Sequence, residues 1–124
     1  MTTSRKALGA IGEHHARLRL EGAGMTFVAA NWRQVTGEID LVMRDGDTIV
    51  MVEVKVRRGE RAGRAEEAIS RTKGNRLLAT GEWFMTEHPE LGDPPWRIDL
   101  VAVTVDSSGF VVRFNHIPDA VVTG

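Results

Sequence analysis

Cysteine is absent from the 124-residue chain. That excludes disulfides, a thiolate nucleophile and any cysteine-ligated zinc site, and it fits a reducing compartment. Also missing is any apolar stretch approaching the length that spans a membrane. Arg5 and Lys6 precede an apolar run from Ala7 to Ile11, but Glu13 and Arg17 interrupt it too early for a signal peptide. A cytoplasmic location is therefore expected. Strong net charge is lacking too: the formal value of −1 argues against indiscriminate coating of nucleic acid. Repeats, linkers and low-complexity segments are missing, as are a Ser-His-Asp arrangement and a glycine-rich phosphate loop. What remains, 42% hydrophobic and 27% charged, is the composition of an ordinary globular protein. Its length suffices to bury a core, and one domain over residues 1–124 is expected.

The most informative stretch runs from Gly37 to Arg58. Glu38 to Met43 is apolar apart from Glu38 and Asp40, and Thr48 to Val56 is rich in β-branched residues. Asp45-Gly46-Asp47 between them is a strong hairpin signal. A Gly46-Asp47 loop sets Asp40 opposite Glu53. An Asp45-Gly46 loop sets Asp40 opposite Met51, with Glu53 on the diagonal. Both registers place Asp40, Glu53 and Lys55 on one face of two hydrophobic strands. Charges there are costly to bury unless paired, hydrogen-bonded or bound to a metal.

Elsewhere the chain alternates helical and extended patterns. Leu8, Ile11, His15 and Leu18 recur at helical spacing between Ser4 and Gly22, with Thr3 or Ser4 as cap and Gly9, Gly12 and Ala16 as a small-residue stripe. Met25 to Asn31 reads as a strand. Trp32 and Arg33 follow in a position to contact nucleic acid, although an aromatic at a strand end is more often core. After a polar loop at 59–63, a helical region from about Ala65 to His88 is expected to break near Ser70–Thr72 and to end at Pro89. It places Lys73 beside the Ile69, Leu77, Phe84 stripe, either snorkelling or reaching a phosphate. Trp96 to Asp106 is a strand apolar on both faces, and Phe110 to Ile117 is a last strand. The predicted order α-β-β-β-α-β-β is an α/β fold: a mixed sheet of about five strands flanked by helices.

Charge is unevenly spread. Residues 55–76 carry eight basic side chains against three acidic ones, +5, whereas residues 77–106 carry one against six, −5. The basic stripe is what a phosphate-binding surface needs, and also what a solvated loop and helix face looks like. Asp40, then Glu53-Val54-Lys55, is the arrangement of metal-dependent nucleases. Two carboxylates hold Mg²⁺ or Mn²⁺ through hard oxygens, and the Val54 carbonyl can add another. A lysine two residues on, on the same face, can orient or deprotonate water and balance charge at phosphorus. His14 and His15 lie near Glu13, but adjacent helix positions point about 100° apart, so zinc is not expected.

Several motifs together closely resemble the YraN-like family. They are Gly9-X-X-Gly12-Glu13, Asn31-Trp32-Arg33, Gly37-Glu38-Ile39-Asp40-Leu41-Val42, Val52-Glu53-Val54-Lys55-Val56-Arg57, Ala68-Ile69 with Lys73, and Arg97-Ile98-Asp99-Leu100-Val101. That family is assigned to the PD-(D/E)XK restriction-endonuclease-like fold, with similarity to Holliday-junction resolvases. The resemblance implies that Asp40 and Glu53 are metal ligands, that Lys55 is the catalytic lysine, and that Glu13 completes the acidic site. No proline precedes Asp40, and Val56 and Arg58 stand where the family usually has Thr or Ser. The implied activity is Mg²⁺-dependent hydrolysis of DNA, branched or otherwise structured, with Arg33, Arg57, Arg58, Lys73 and Arg76 as candidate nucleic-acid contacts. Resolvase-like relatives work as dimers, and the small size is compatible with a homodimer. The alternatives are a catalytically silent module of the same fold that binds nucleic acid or a protein, and a buried structural ion pair formed by the carboxylates and Lys55.

Overall fold

In the computed structural model, residues 4–59 and 69–121 are described. The elements are α1 (Arg5–Gly22), β1 (Thr26–Gln34), β2 (Gly37–Asp45), β3 (Thr48–Arg58), α2 (Arg71–Glu87), β4 (Trp96–Val105) and β5 (Val111–Ile117). One sheet in the order β1-β2-β3-β4-β5 holds all five strands. Neighbours are antiparallel except β3 and β4, which are parallel because α2 carries the chain back across the sheet. The expected order α-β-β-β-α-β-β and the mixed α/β class are therefore observed.

Both helices start on a serine cap. The Ser4 hydroxyl accepts from the Ala7 amide at 3.1 Å, and the Ser70 hydroxyl accepts from the Lys73 amide at 3.2 Å, which satisfies amides that have no partner inside the helix. The start of α2 at Arg71 coincides with the break expected near Ser70–Thr72. The loop at 60–63, the proposed helix start at 65–68, and Arg61 and Arg64 of the basic stripe lie outside the described residues. Some boundaries differ from the sequence expectation. β1 runs on to Gln34 because pairing with β2 continues through Trp32↔Ile39 to Gln34↔Gly37. The two C-terminal strands are each one residue shorter, at Val105 and Val111.

Each face of the sheet is covered by one helix. Ala16 and Leu20 of α1 pack on Leu41, Met43, Val50, Val52, Val101 and Val103. Leu77 and Phe84 of α2 pack on Val42, Ile49, Met51 and Ile98 on the other side. The inward stripe of α1 is Gly12, Ala16 and Leu20; Ile11 and Leu18, which share the helical apolar spacing, are 41% and 53% exposed. Small residues face in because α1 lies close against β3. A Cβ on Gly12 would overlap the Val56 side chain, and one on Gly81 of α2 would meet Trp96 at 2.5 Å and the Met51 sulfur at 2.7 Å. Both helices are thus held at fixed height above the sheet.

Candidate functional site

The hairpin turns through Gly46-Asp47: Asp45 pairs with Thr48, and the ladder runs back to Leu41↔Val52. One step further along that register lies Asp40 beside Glu53. Here the ladder changes character. The Val54 amide donates to Asp40 Oδ2 at 2.8 Å, so a side chain accepts where a strand carbonyl otherwise would. β2 from Gly37 to Asp40 stays on β1, while β3 stays on β4 through Arg58↔Val105. The two strands part at the carboxylates.

Four charged groups meet in this opening. Glu53 is one of the few buried charged residues. Its Oε1 lies 3.9 Å from Lys55 Nζ and its Oε2 lies 3.5 Å from Lys73 Nζ, which arrives from α2. Burial pushes the Asp40 carboxyl up from 3.8 to about 7, helped by its hydrogen bond to Glu53 and the Glu53 charge; the Val54 amide and Lys55 oppose the rise. Burial and an adjoining carboxyl both disfavour the charged form of Asp40. Lys55 is lowered, first by burial and then by the neighbouring Lys73, against the pull of Glu53 and Asp40.

Glu13 approaches from α1. Burial raises its carboxyl, and so does the Asp40 charge, while a hydrogen bond with the Asn31 side chain lowers it. Asn31 takes a left-handed backbone angle, φ 52°, inside β1, a conformation that asparagine tolerates better than most residues. Sequence reasoning quoted Asn31 within a motif and gave it no role. Its one signal was a polar amide inside a strand, which does not reveal a partner on another element.

A cleft of about 1000 Å³ opens in front of Asp40 and Glu53. Glu38 and the β1–β2 turn form one wall, and Ser70, Lys73 and Arg76 of the α2 end form the other. The walls are tied at Thr36–Thr80, 2.8 Å between hydroxyls. Because the Thr80 hydroxyl donates to the Arg76 carbonyl, it accepts from Thr36. The remaining basic candidates are spread out. Arg33 is exposed and 3.5 Å from Glu38, Arg57 donates to the Val56 carbonyl, and Arg58 donates to the carbonyls of Asp106 and Ser107. Trp32 packs edge-on against Phe84 at 5.3 Å, the core role.

As a donor set, the cluster offers the hard carboxylate oxygens of Asp40 and Glu53. Among the described residues no three His, Asp or Glu side chains close up into a metal cage. A caged cation such as structural zinc therefore does not fit. Magnesium does, because it is commonly held by one or two carboxylates with water and substrate phosphate completing its shell.

Residues 12–103 match the profile of the Uncharacterised protein family UPF0102. The chain belongs to this family. A UPF0102 protein of Kineococcus radiotolerans is 49% identical over 107 residues, 86% of this chain and 87% of that one. Another from Roseiflexus castenholzii is 41% identical over 121 residues, 98% of each, and one from Pectobacterium carotovorum is 40% identical over 121 residues. The matched span of UPF0102 contains Glu13, Asp40, Glu53, Lys55 and Lys73. It also contains Asp99, a fully buried carboxylate that takes hydrogen bonds from Arg97 at 2.9 Å, the Asp119 amide at 2.9 Å and His116 at 2.7 Å. Burial alone would raise Asp99, but these partners outweigh it and hold the carboxyl below its ordinary range. His88 stacks on Phe84 at 3.9 Å and His15 lies against Phe114, so these histidines and His116 serve packing and the Asp99 clamp. No helix among the described residues is long and apolar enough to cross a membrane.

Proposed function

We propose that this UPF0102 member is a metal-dependent phosphodiesterase of the restriction-endonuclease-like kind, acting in the cytoplasm on DNA, branched or otherwise structured DNA included. The observation that carries the reading is the pairing of Asp40 with Glu53 where β2 and β3 part, with Lys55 on the same face and a basic wall opposite. Asp40 and Glu53 would hold Mg²⁺ or Mn²⁺, with Glu13 and the Val54 carbonyl as further oxygens. Such an ion, when bound, polarises a phosphoryl oxygen and makes water a better nucleophile. Lys55 stands beside the carboxylates with its ammonium form weakened by burial and by Lys73. It orients the attacking water, accepts its proton and offsets charge growing on the phosphate. Lys73 and Arg76 grip the nucleic-acid backbone from the α2 side, and Glu53 holds Lys55 beside it at 3.9 Å.

The test is cleavage of linear, flapped and four-way DNA by wild type, Asp40→Ala and Lys55→Ala in Mg²⁺ and Mn²⁺. Both substitutions are expected to abolish cleavage with the fold intact. Cleavage surviving in both would refute the assignment. A catalytically silent binding module is the second reading. It is favoured by one observation: Glu53 is already engaged by two lysines and Asp40 by the Val54 amide. That reading predicts no cleavage by the wild type. If nucleic acid is its partner, affinity must still fall steeply as salt rises; if a protein is, no DNA binding is expected.

A further inference from the structure

Glu53 divides its two oxygens between two ammonium groups, Lys55 from its own strand and Lys73 from the facing helix. Lys73 is the closer, at 3.5 Å, although it is the more exposed of the two. A divalent cation bound at Glu53 would compete with Lys73 for the same oxygen and add positive charge beside two amines, which the negative charge of a phosphodiester offsets.

The geometry says which group must give way. Lys55 is fixed in direction by its strand, since residues two apart share a face. α2 is held against the sheet, because Leu77 and Phe84 are packed on Val42, Ile49, Met51 and Ile98 and Thr80 is tied to Thr36. What can move is the Lys73 side chain, a flexible four-carbon stem whose head lies at the border of the cleft, next to Arg76.

We propose that Lys73 is a displaceable counter-ion: it leaves Glu53 when a divalent cation arrives and turns to a phosphate of the bound strand, so that cation and nucleic acid bind cooperatively. This rests on the metal-dependent reading of the same site and adds to it a positioning residue and an order of dependence. Linkage then requires the effect to run both ways: DNA tightens cation binding as much as the cation tightens DNA binding.

The experiment titrates the full chain with Mn²⁺ by calorimetry, without nucleic acid, comparing wild type, Lys73→Met and Lys73→Arg. In parallel, affinity for a plain DNA duplex is read by fluorescence anisotropy in Ca²⁺ and in chelator. Removing the competing ammonium is expected to tighten Mn²⁺ binding about fivefold in Lys73→Met, with Lys73→Arg staying close to wild type. Wild-type affinity for the duplex should rise at least about fivefold with Ca²⁺, and that rise should shrink in Lys73→Met. Mn²⁺ binding in Lys73→Met that is equal to or weaker than wild type overturns the proposal while leaving the nuclease reading in place. So does an arginine variant that tightens like methionine. If no variant binds Mn²⁺ and Ca²⁺ leaves the duplex affinity of every variant unchanged, the metal-dependent reading fails and the proposal with it. Melting curves of each variant confirm that folded protein is being compared.

Discussion

Replacing Asp40 by asparagine should make the metal-free protein more stable. The Asp40 carboxyl rises from 3.8 to about 7 on folding. At about 1.36 kcal/mol per pKa unit, holding it ionised in the fold costs up to ~4 kcal/mol well above pH 7. Local relaxation and water around the half-open site reduce that cost, and a gain of about 1–3 kcal/mol is expected from the single substitution. Asparagine keeps the shape, an oxygen to accept the Val54 amide and a donor for Glu53. The pH dependence follows from the sign of the shift. As pH climbs past 4 the unfolded chain gives up this proton first, while the folded chain keeps it to about 7. Wild-type stability therefore falls across that interval and levels off above it. The advantage of Asp40→Asn should be small at pH 5 and full at pH 8. For a chain of this size it corresponds to a melting temperature about 3–10 °C higher. Thermal unfolding by circular dichroism at both pH values reads it directly. Millimolar Mn²⁺ should then reverse the ranking by stabilising only the wild type. The reasoning is refuted if the variant melts no higher than wild type at pH 8, or if the difference is the same at pH 5.

Two further outcomes follow from packing and from the second buried carboxylate. Gly12→Ala should cost about 1–3 kcal/mol, because its methyl overlaps Val56 and pushes α1 off β3; Gly9→Ala, with nothing near its Cβ, should instead stabilise by about 0.5–1 kcal/mol, and urea unfolding of the pair checks the contrast. Asp99→Ala leaves Arg97 and His116 facing a fully buried gap and should lose about 3–5 kcal/mol at pH 7. Because the Asp99 carboxyl is lowered, its contribution is present above the ordinary carboxylate range and fades as pH drops below about 4, so wild type and variant should converge in acid.

The hairpin was the most legible part of the chain. Alternation alone placed Asp40, Glu53 and Lys55 together, and the Gly46-Asp47 turn observed is one of the two registers that alternation allowed. The order of elements was equally readable, since periodicity separates strands from helices and the crossover α2 is needed for parallel pairing. The inward face of α1 was less so. The small-residue stripe signals a close approach, which Gly12 and Ala16 make. Gly9, however, faces open space and Ile11 and Leu18 of the apolar spacing stay exposed, because hydropathy does not tell which side of the stripe meets β3. Lys73 was placed at the edge of the buried face, but its partner Glu53 lies on another element twenty residues back. Asn31 and Glu13 met for the same reason: the contact is made by the fold.

The place where β2 and β3 part has a consequence for what this chain can become. A valine at position 40 would remove the side-chain acceptor that holds the Val54 amide and invite the two strands to zip together. The result would be a more regular sheet whose opening had healed shut. Stability and chemistry compete here for one amide, so variants selected for robustness alone should drift toward closing that seam. A tolerant, heat-resistant version of this domain that is inert would then mark the seam as the seat of function.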